Sequence, residues 1–171
     1  MSTSTNGPSG GSTALLTDQY ELTMLRSALA DGTANRQAVF EVFGRRLPGG
    51  RRYGVVAGTG RLLDALERFH FGPDELDFLR AHGVIDDDTA SWLAGYRFSG
   101  NVWGYPEGEC YFPGSPILVV EGTFAEAVLL ETLALSILNH DVAIATAASR
   151  MVSAAGDRTA VSYTHLRAHE T

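Results

Sequence analysis

Residues 117–156 read ILVVEGTFAEAVLLETLALSILNHDVAIATAASRMVSAAG. The first four are apolar and mostly β-branched, which predicts a strand. Thr123 and Glu126 then have the spacing of a helix capping box, so we predict one long helix from 123 to about Ala155 that ends at Gly156. Residues 139–141, Asn-His-Asp, are poor helix formers and predict a kink within this helix.

The rest of the chain mixes helices and strands without strict alternation. A capping box at Asp18 and Glu21 predicts a first helix that runs to about Ala30. Alternation of apolar and polar residues predicts a strand over 37–43. The other predicted elements are strands at 53–57, 98–103 and 157–162 and helices that begin near Gly58, Pro73 and Asp86. This mixture predicts an α+β fold rather than a doubly wound sheet.

Size and charge narrow the class of protein. The 171 residues fit one ordinary domain, and the net charge of −7 argues against nucleic acid or an anionic membrane as partner. Three glutamates interrupt the apolar residues 116–138, which indicates a buried segment of a soluble protein rather than a membrane helix. The single cysteine, Cys110, permits no internal disulfide and indicates a reducing compartment, so we expect a cytoplasmic protein.

Two residues at the head of the first helix are candidates for ligand binding. Thr17-Asp18-Gln19-Tyr20 places a tyrosine where it can leave its own subunit and stack on a flat ring. Asp18 lies at the start of the same predicted helix and can orient its N-terminal end. From the residues alone, an N-cap followed by a packing tyrosine is the simpler interpretation.

Arginines supply the other candidates. Arg150 ends the small-residue stretch Ala145–Ser149 of the long helix, and its fork of donors suits phosphate or carboxylate. A helix-end salt bridge is the alternative. Residues 45–52 form a loop with four arginines, which either attract a diphosphate by their field or pair with acids of the chain.

Three other sequence patterns are weaker candidates for a functional site. Gly58-Thr59-Gly60 lies between a strand and a helix, but the third glycine of a dinucleotide fingerprint is missing, so we expect tight packing instead. Glu107 and Glu109 are expected to be solvated turn residues. His70, His82 and His140 show no zinc-ligand spacing, and we predict no metal ligand in this chain.

Several segments together resemble the N-terminal part of nicotinate phosphoribosyltransferase. They are residues 17–20, 112–122, 126–132, 138–139 and 144–150, and the resemblance runs from about Ala14 to about Val161. It implies an N-terminal α/β sandwich-like domain of a type II phosphoribosyltransferase over 13–122. The long helix and the start of an α/β barrel follow over 123–162, with the rest of the barrel absent. We expect a disordered tail over 1–12 and a foreign or frayed tail over 163–171.

The resemblance also implies a reaction. The family joins nicotinate to 5-phosphoribosyl 1-diphosphate, with ATP hydrolysis and Mg²⁺, in NAD biosynthesis. Tyr20 would stack on the pyridine ring across the interface of a homodimer, and Asp18 and Arg150 would also bind substrate. The family's phosphorylated-histidine segment, Gly-Thr-x-x-His, does not occur here, so the resemblance implies no catalytic residue in this chain, and we expect the isolated chain to be inactive. Two alternatives stay open: a related enzyme that uses quinolinate or nicotinamide, or a non-catalytic α+β interaction module.

Overall fold

The computed structural model describes residues 11–161. A 3₁₀ turn at Ala14–Leu16 precedes six helices and five strands in this part of the chain. In chain order the elements are α1 (Gln19–Ala30), β1 (Gln37–Phe43), β2 (Gly54–Val55), α2 (Thr59–Glu67), α3 (Pro73–Ala81), α4 (Asp87–Ala94), β3 (Asn101–Gly104), β4 (Cys110–Tyr111), β5 (Pro116–Thr123), α5 (Phe124–Val128) and α6 (Glu131–Ala155). The mixture confirms the predicted α+β class.

A three-stranded antiparallel sheet has the order β1-β5-β3. In β1 every second residue is partly buried and the others are exposed, which is the pattern that period-2 alternation predicts. Val120 of β5 pairs with Phe40 on one side and Val102 on the other, so β5 is the central strand of this sheet. The Val120 side chain is part of the buried core. Strands β2 and β4 form a separate antiparallel pair.

The long helix differs from the prediction in the place where the chain bends. It is interrupted at Leu129 and Leu130, between α5 and α6, and it continues without interruption through residues 139–141. Leu138 and Val142 on either side of that stretch are buried, so tertiary packing overrides the weak local propensity. The helix is therefore not interrupted at the place of the predicted kink, and its break lies about ten residues earlier.

Helix α6 makes contacts with several other elements of the fold. It packs against α2 and β2, and its buried residues belong to the single hydrophobic core that also contains α1 and β5. Leu133 is completely buried near its N-terminal end, and Thr146, near its C-terminal end, accepts a hydrogen bond from the Val55 backbone N–H at 2.8 Å.

Two further sequence predictions need correction. Asp18 is the N-cap residue of α1 but its side chain makes no capping hydrogen bond, and Glu21, the other half of the predicted box, is buried in the interior. Residues 157–161 form a turn and an irregular segment, not a strand. Residues 1–10 and the tail predicted over 163–171 lie outside the described residues, and the domain boundary at 122/123 stays a prediction.

Candidate functional site

The Tyr20 ring is accessible at the head of α1. Its exposed fraction is 45%, and it lies two residues after the exposed N-cap residue Asp18. Partial burial, and after it the nearby carboxylates of Glu131 and Glu21, raise the pKa of the Tyr20 hydroxyl to about 12. The phenol is therefore neutral near pH 7 and presents a free aromatic face beside an acidic edge.

Asp18 occupies the position that the sequence predicts but has no partner there. Its backbone carbonyl accepts from the Glu21 N–H at 3.1 Å, which starts the helix. Its carboxylate forms no hydrogen bond and no salt bridge within residues 11–161. A role in substrate binding stays a prediction for Asp18.

Glu21 is the site residue that sequence reasoning assigned wrongly. Its side chain is completely buried and accepts hydrogen bonds from the Thr132 backbone N–H at 2.9 Å and the Thr132 hydroxyl at 2.5 Å. The Thr17 hydroxyl donates to its other carboxylate oxygen. Burial raises the pKa of Glu21, and these hydrogen bonds oppose that shift. The partner Thr132 is 111 residues away in the chain, so no local pattern could reveal the contact.

Arg150 is held in place by backbone carbonyls. Its guanidinium donates to the carbonyl of Thr146 at 2.8 Å and to the carbonyl of Tyr53 at 3.0 Å. It also lies 5.2 Å from the centre of the Tyr53 ring, within the range of a cation–π contact. The predicted alternative, a salt bridge at the helix end, is not formed within residues 11–161. Arg150 is therefore oriented without losing its charge to a carboxylate.

The arginine loop contributes to the same surface. Arg51 and Arg52 line one open depression together with Tyr53 and Arg150. All four arginines of residues 45–52 are exposed, and none forms a salt bridge with an acid in the part of the chain that the structure describes. The depression is consequently a basic surface in an acidic protein, suited to an anion. The sequence indicated the loop and Arg150 separately and could not show that they meet.

Tyr20 and this basic depression lie at opposite ends of α6. Glu131, beside Tyr20, begins the helix and Arg150 stands in its last turns. At 1.5 Å per residue the two positions are about 28 Å apart along the helix axis. One small ligand cannot contact both within a single chain.

The turn at Gly58 does not form a phosphate site. The carboxylate of Glu107 accepts hydrogen bonds from the N–H groups of Gly58 and Gly60, at 3.1 and 3.0 Å, and from the Thr59 hydroxyl at 3.1 Å. These bonds lower the pKa of Glu107. The N-terminus of α2 is thus already capped by a carboxylate of the chain. Glu107 is not merely a solvated turn residue, contrary to the sequence prediction.

Residues 11–161 contain neither a cluster of metal ligands nor a candidate membrane-spanning helix. No three His, Cys, Asp or Glu side chains within 11–161 cluster as a metal site would require. None of the helices in this range combines the length and the apolar character needed to cross a membrane.

Comparisons with known proteins agree with this fold and these motifs. A model of the nicotinate phosphoribosyltransferase (NAPRTase) N-terminal domain matches residues 15–139. A nicotinate phosphoribosyltransferase of Mycobacterium tuberculosis is 62% identical over 156 residues, which cover 91% of this chain and 34% of that protein. One from Bacillus subtilis is 37% identical over 159 residues, covering 93% of this chain and 32% of that protein. The crystal structure of human nicotinic acid phosphoribosyltransferase superimposes with a TM-score of 0.77 at 30% identity, covering 85% of this chain and 30% of that one.

The fold is that of the N-terminal domain of a type II phosphoribosyltransferase. The chain belongs to the nicotinate phosphoribosyltransferase family, of which it carries the N-terminal domain. It spans about a third of the length of the curated relatives that it matches.

Proposed function

We propose that this chain is part of an enzyme that forms nicotinate mononucleotide and pyrophosphate from nicotinate and 5-phosphoribosyl 1-diphosphate. The observation that carries the proposal is the accessible Tyr20 ring at the head of α1, within the family's Thr-Asp-x-Tyr motif. In the reaction the pyridine nitrogen attacks the anomeric carbon while pyrophosphate leaves. The protein therefore has to orient a flat ring and to hold phosphate charge.

Tyr20 binds the nicotinate ring by stacking. A neutral phenol offers a large rigid face, and offset stacking on another aromatic ring contributes about 0.5–1.5 kcal/mol beyond the area it buries. The acidic edge formed by Glu131 disfavours a nearby nicotinate carboxylate, so the ring binds with its carboxylate directed away from α6.

The Tyr20 ring serves the site of a second subunit. Tyr20 and Met24 lie one turn apart on α1 with exposed fractions of 45% and 39%, so they form an exposed apolar stripe on this helix, and Leu16 of the preceding 3₁₀ turn is also exposed, at 54%. Such a stripe is typical of a surface that another chain covers. Together with the distance to Arg150, it supports a homodimer in which each site takes Tyr20 from one subunit and Arg150 from the other.

Arg150, with Arg51 and Arg52, holds the phosphate groups. Three guanidiniums around one depression attract an anion, and Arg150 is already oriented by the carbonyls of Thr146 and Tyr53. Asp18, the N-cap residue of the helix that carries Tyr20, binds substrate through its free carboxylate. Its partner is either a hydroxyl of the ribose or a cation bound with the diphosphate.

ATP and Mg²⁺ belong to the proposed reaction, in which ATP hydrolysis drives the step and Mg²⁺ offsets the charge of the diphosphate. The described residues do not by themselves fit a protein-ligated metal, since no cluster of three suitable side chains occurs in residues 11–161. No step is therefore assigned to a metal ligand of this chain.

The experiment is a product assay on the intact protein with nicotinate, the diphosphate donor, ATP and Mg²⁺. We expect nicotinate mononucleotide, a raised KM for nicotinate in Tyr20→Ala and a raised KM for the diphosphate donor in Arg150→Ala. Tyr105→Ala and Arg158→Ala are matched controls, because these residues are also exposed and lie elsewhere. Turnover of quinolinate or nicotinamide in preference to nicotinate would support the related enzymes. Absence of turnover of all three, with a folded intact protein, would support an interaction module.

A further inference from the structure

Glu21 is a buried carboxylate that the proposed mechanism leaves unused. It is 0% exposed, yet it follows directly on Tyr20 in the first turn of α1. Removing a carboxylate from water is costly unless hydrogen bonds satisfy its oxygens. The position of such a group beside the ring-binding residue requires a physical reason.

Both oxygens of Glu21 are satisfied by donors from two other segments. One accepts from the N–H and the hydroxyl of Thr132, at 2.9 and 2.5 Å, and the other accepts from the Thr17 hydroxyl. The N–H groups in the first turn of a helix have no partner within that helix. The N-cap residue of α6, Leu130, provides no side-chain cap. Glu21 is therefore the cap of α6, supplied from α1.

This contact fixes the first turn of α1 on the first turn of α6. Tyr20 and Glu21 are adjacent in one helix, and Glu131 and Thr132 are adjacent in the other. The first turns of α1 and α6 therefore contain two contacts side by side: Glu21 with Thr132, and Tyr20 with Glu131. Movement of α1 relative to α6 would displace the Tyr20 ring and break the hydrogen bonds of Glu21 at the same time.

The hydrogen bonds that Glu21 makes do not require its negative charge. Burial raises the pKa of Glu21, so its favourable contribution to folding is complete below the pKa of the unfolded chain and is lost as pH rises through the folded pKa. Near neutral pH a glutamine of the same shape would avoid that cost. Glutamine can also accept from Thr132 and donate to the Thr17 oxygen.

We propose that Glu21 is a positioning residue, which holds the head of α1 on the N-terminus of α6 and thereby fixes the Tyr20 ring for stacking on the pyridine ring. The inference rests on the proposed role of Tyr20. It adds that the orientation of the ring depends on the hydrogen bonds of Glu21 with Thr132 and Thr17, and not on packing of α1 alone.

The test compares variants of the intact protein in steady-state kinetics with nicotinate. Glu21→Ala is expected to raise KM for nicotinate roughly tenfold with a smaller effect on kcat, below the roughly 100-fold that a 1 Å misplacement can cost. Glu21→Gln is expected to keep the wild-type KM. The double variant Thr17→Val and Thr132→Val removes two of the three donors and is expected to raise KM while Glu21 remains. In the ultraviolet spectrum, the Tyr20 signal, isolated by subtraction of Tyr20→Phe, should shift in Glu21→Ala and not in Glu21→Gln.

Leu25→Ala is the control for loss of stability. Leu25 is a fully buried residue of α1 that takes no part in these hydrogen bonds, so its truncation should destabilise the protein and leave KM within about twofold of wild type. An equal rise of KM in Leu25→Ala and Glu21→Ala would overturn the inference, because packing would then be sufficient. If Glu21→Ala does not fold, a wild-type KM in the double variant overturns it instead.

Failure of the proposed function gives a different pattern. If Tyr20→Ala itself leaves KM for nicotinate unchanged, the role of Tyr20 is wrong and the inference on Glu21 is overturned with it. If Tyr20→Ala raises KM but the Glu21 and threonine variants do not, only the positioning role is overturned.

Discussion

Gly58 lies directly against Asp141 of α6. A Cβ atom on Gly58 would lie 2.7 Å from Asp141 Oδ2 and 2.9 Å from its Cβ, closer than real Cβ contacts. The carboxylate cannot move away freely, because Arg61 holds it with hydrogen bonds of 2.8 and 3.0 Å. This contact presses the turn before α2 onto α6 and explains the glycine by packing, as the sequence predicted.

We predict that Gly58→Ala destabilises the protein by roughly 2–4 kcal/mol, because it combines a steric clash with a backbone angle unfavourable for alanine. Gly58 has φ of 94°. Gly83→Ala is the matched control: Gly83 has φ of 66° but open space around it, so only the backbone cost of about 1 kcal/mol is expected. Urea unfolding of both variants measures the difference. An equal loss of unfolding free energy in Gly58→Ala and Gly83→Ala would show that the contact with Asp141 does not contribute to the effect.

The Glu107 cap predicts a stability effect that depends on pH. Glu107→Ala should lower the free energy of unfolding near pH 7 by roughly 0.5–1 kcal/mol, at the low end for a cap because the group is exposed. The pKa of Glu107 is lowered in the folded state, so this contribution is present above the pKa of the unfolded chain and is lost as pH falls through the folded pKa. Urea unfolding at several pH values checks both statements. Glu109→Ala, two residues away, should have little effect at any pH, because the Glu109 carboxylate accepts from the Cys110 N–H and caps no helix.

The Tyr20 hydroxyl should titrate late. Its pKa is raised to about 12 from the usual 10, so the folded protein keeps the phenol neutral where a free tyrosine ionises. Its stabilising contribution is therefore complete below pH 10 and declines as pH rises toward 12. Absorbance titration of the wild type minus Tyr20→Phe isolates this group. Glu131→Gln removes a nearby negative charge and should lower the midpoint; an unchanged midpoint would mean that Glu131 does not contact the phenol.

Local patterns predicted the elements whose causes are local. The alternation in residues 37–43 predicted β1 with its observed bounds, and Pro73 predicted the start of α3. The break between α5 and α6 was missed because the cap of α6 comes from Glu21, far away in the chain. The cap that Glu107 provides for α2 was missed for the same physical reason.

The site was predictable to a similar degree. The motif at residues 17–20 indicated an aromatic group at a helix head, and the structure leaves that ring accessible. Arg150, Arg51 and Arg52 line one depression because α6 packs beside β2, and the sequence gives no indication of that packing. The binding roles of Tyr20, Asp18 and Arg150 remain predictions.

The central claim is that one substrate site takes Tyr20 from one subunit and Arg150 from the other. Subunit mixing tests it most directly. The Tyr20→Ala and Arg150→Ala variants of the intact protein are purified separately, each with low activity, and then dissociated and reassociated at equal concentration. If the claim is right, half of the dimers are mixed and one of their two sites carries neither substitution, so activity should recover to about a quarter of wild type. If activity stays at the level of the two variants alone although mixed dimers form, the two residues do not meet across a subunit interface.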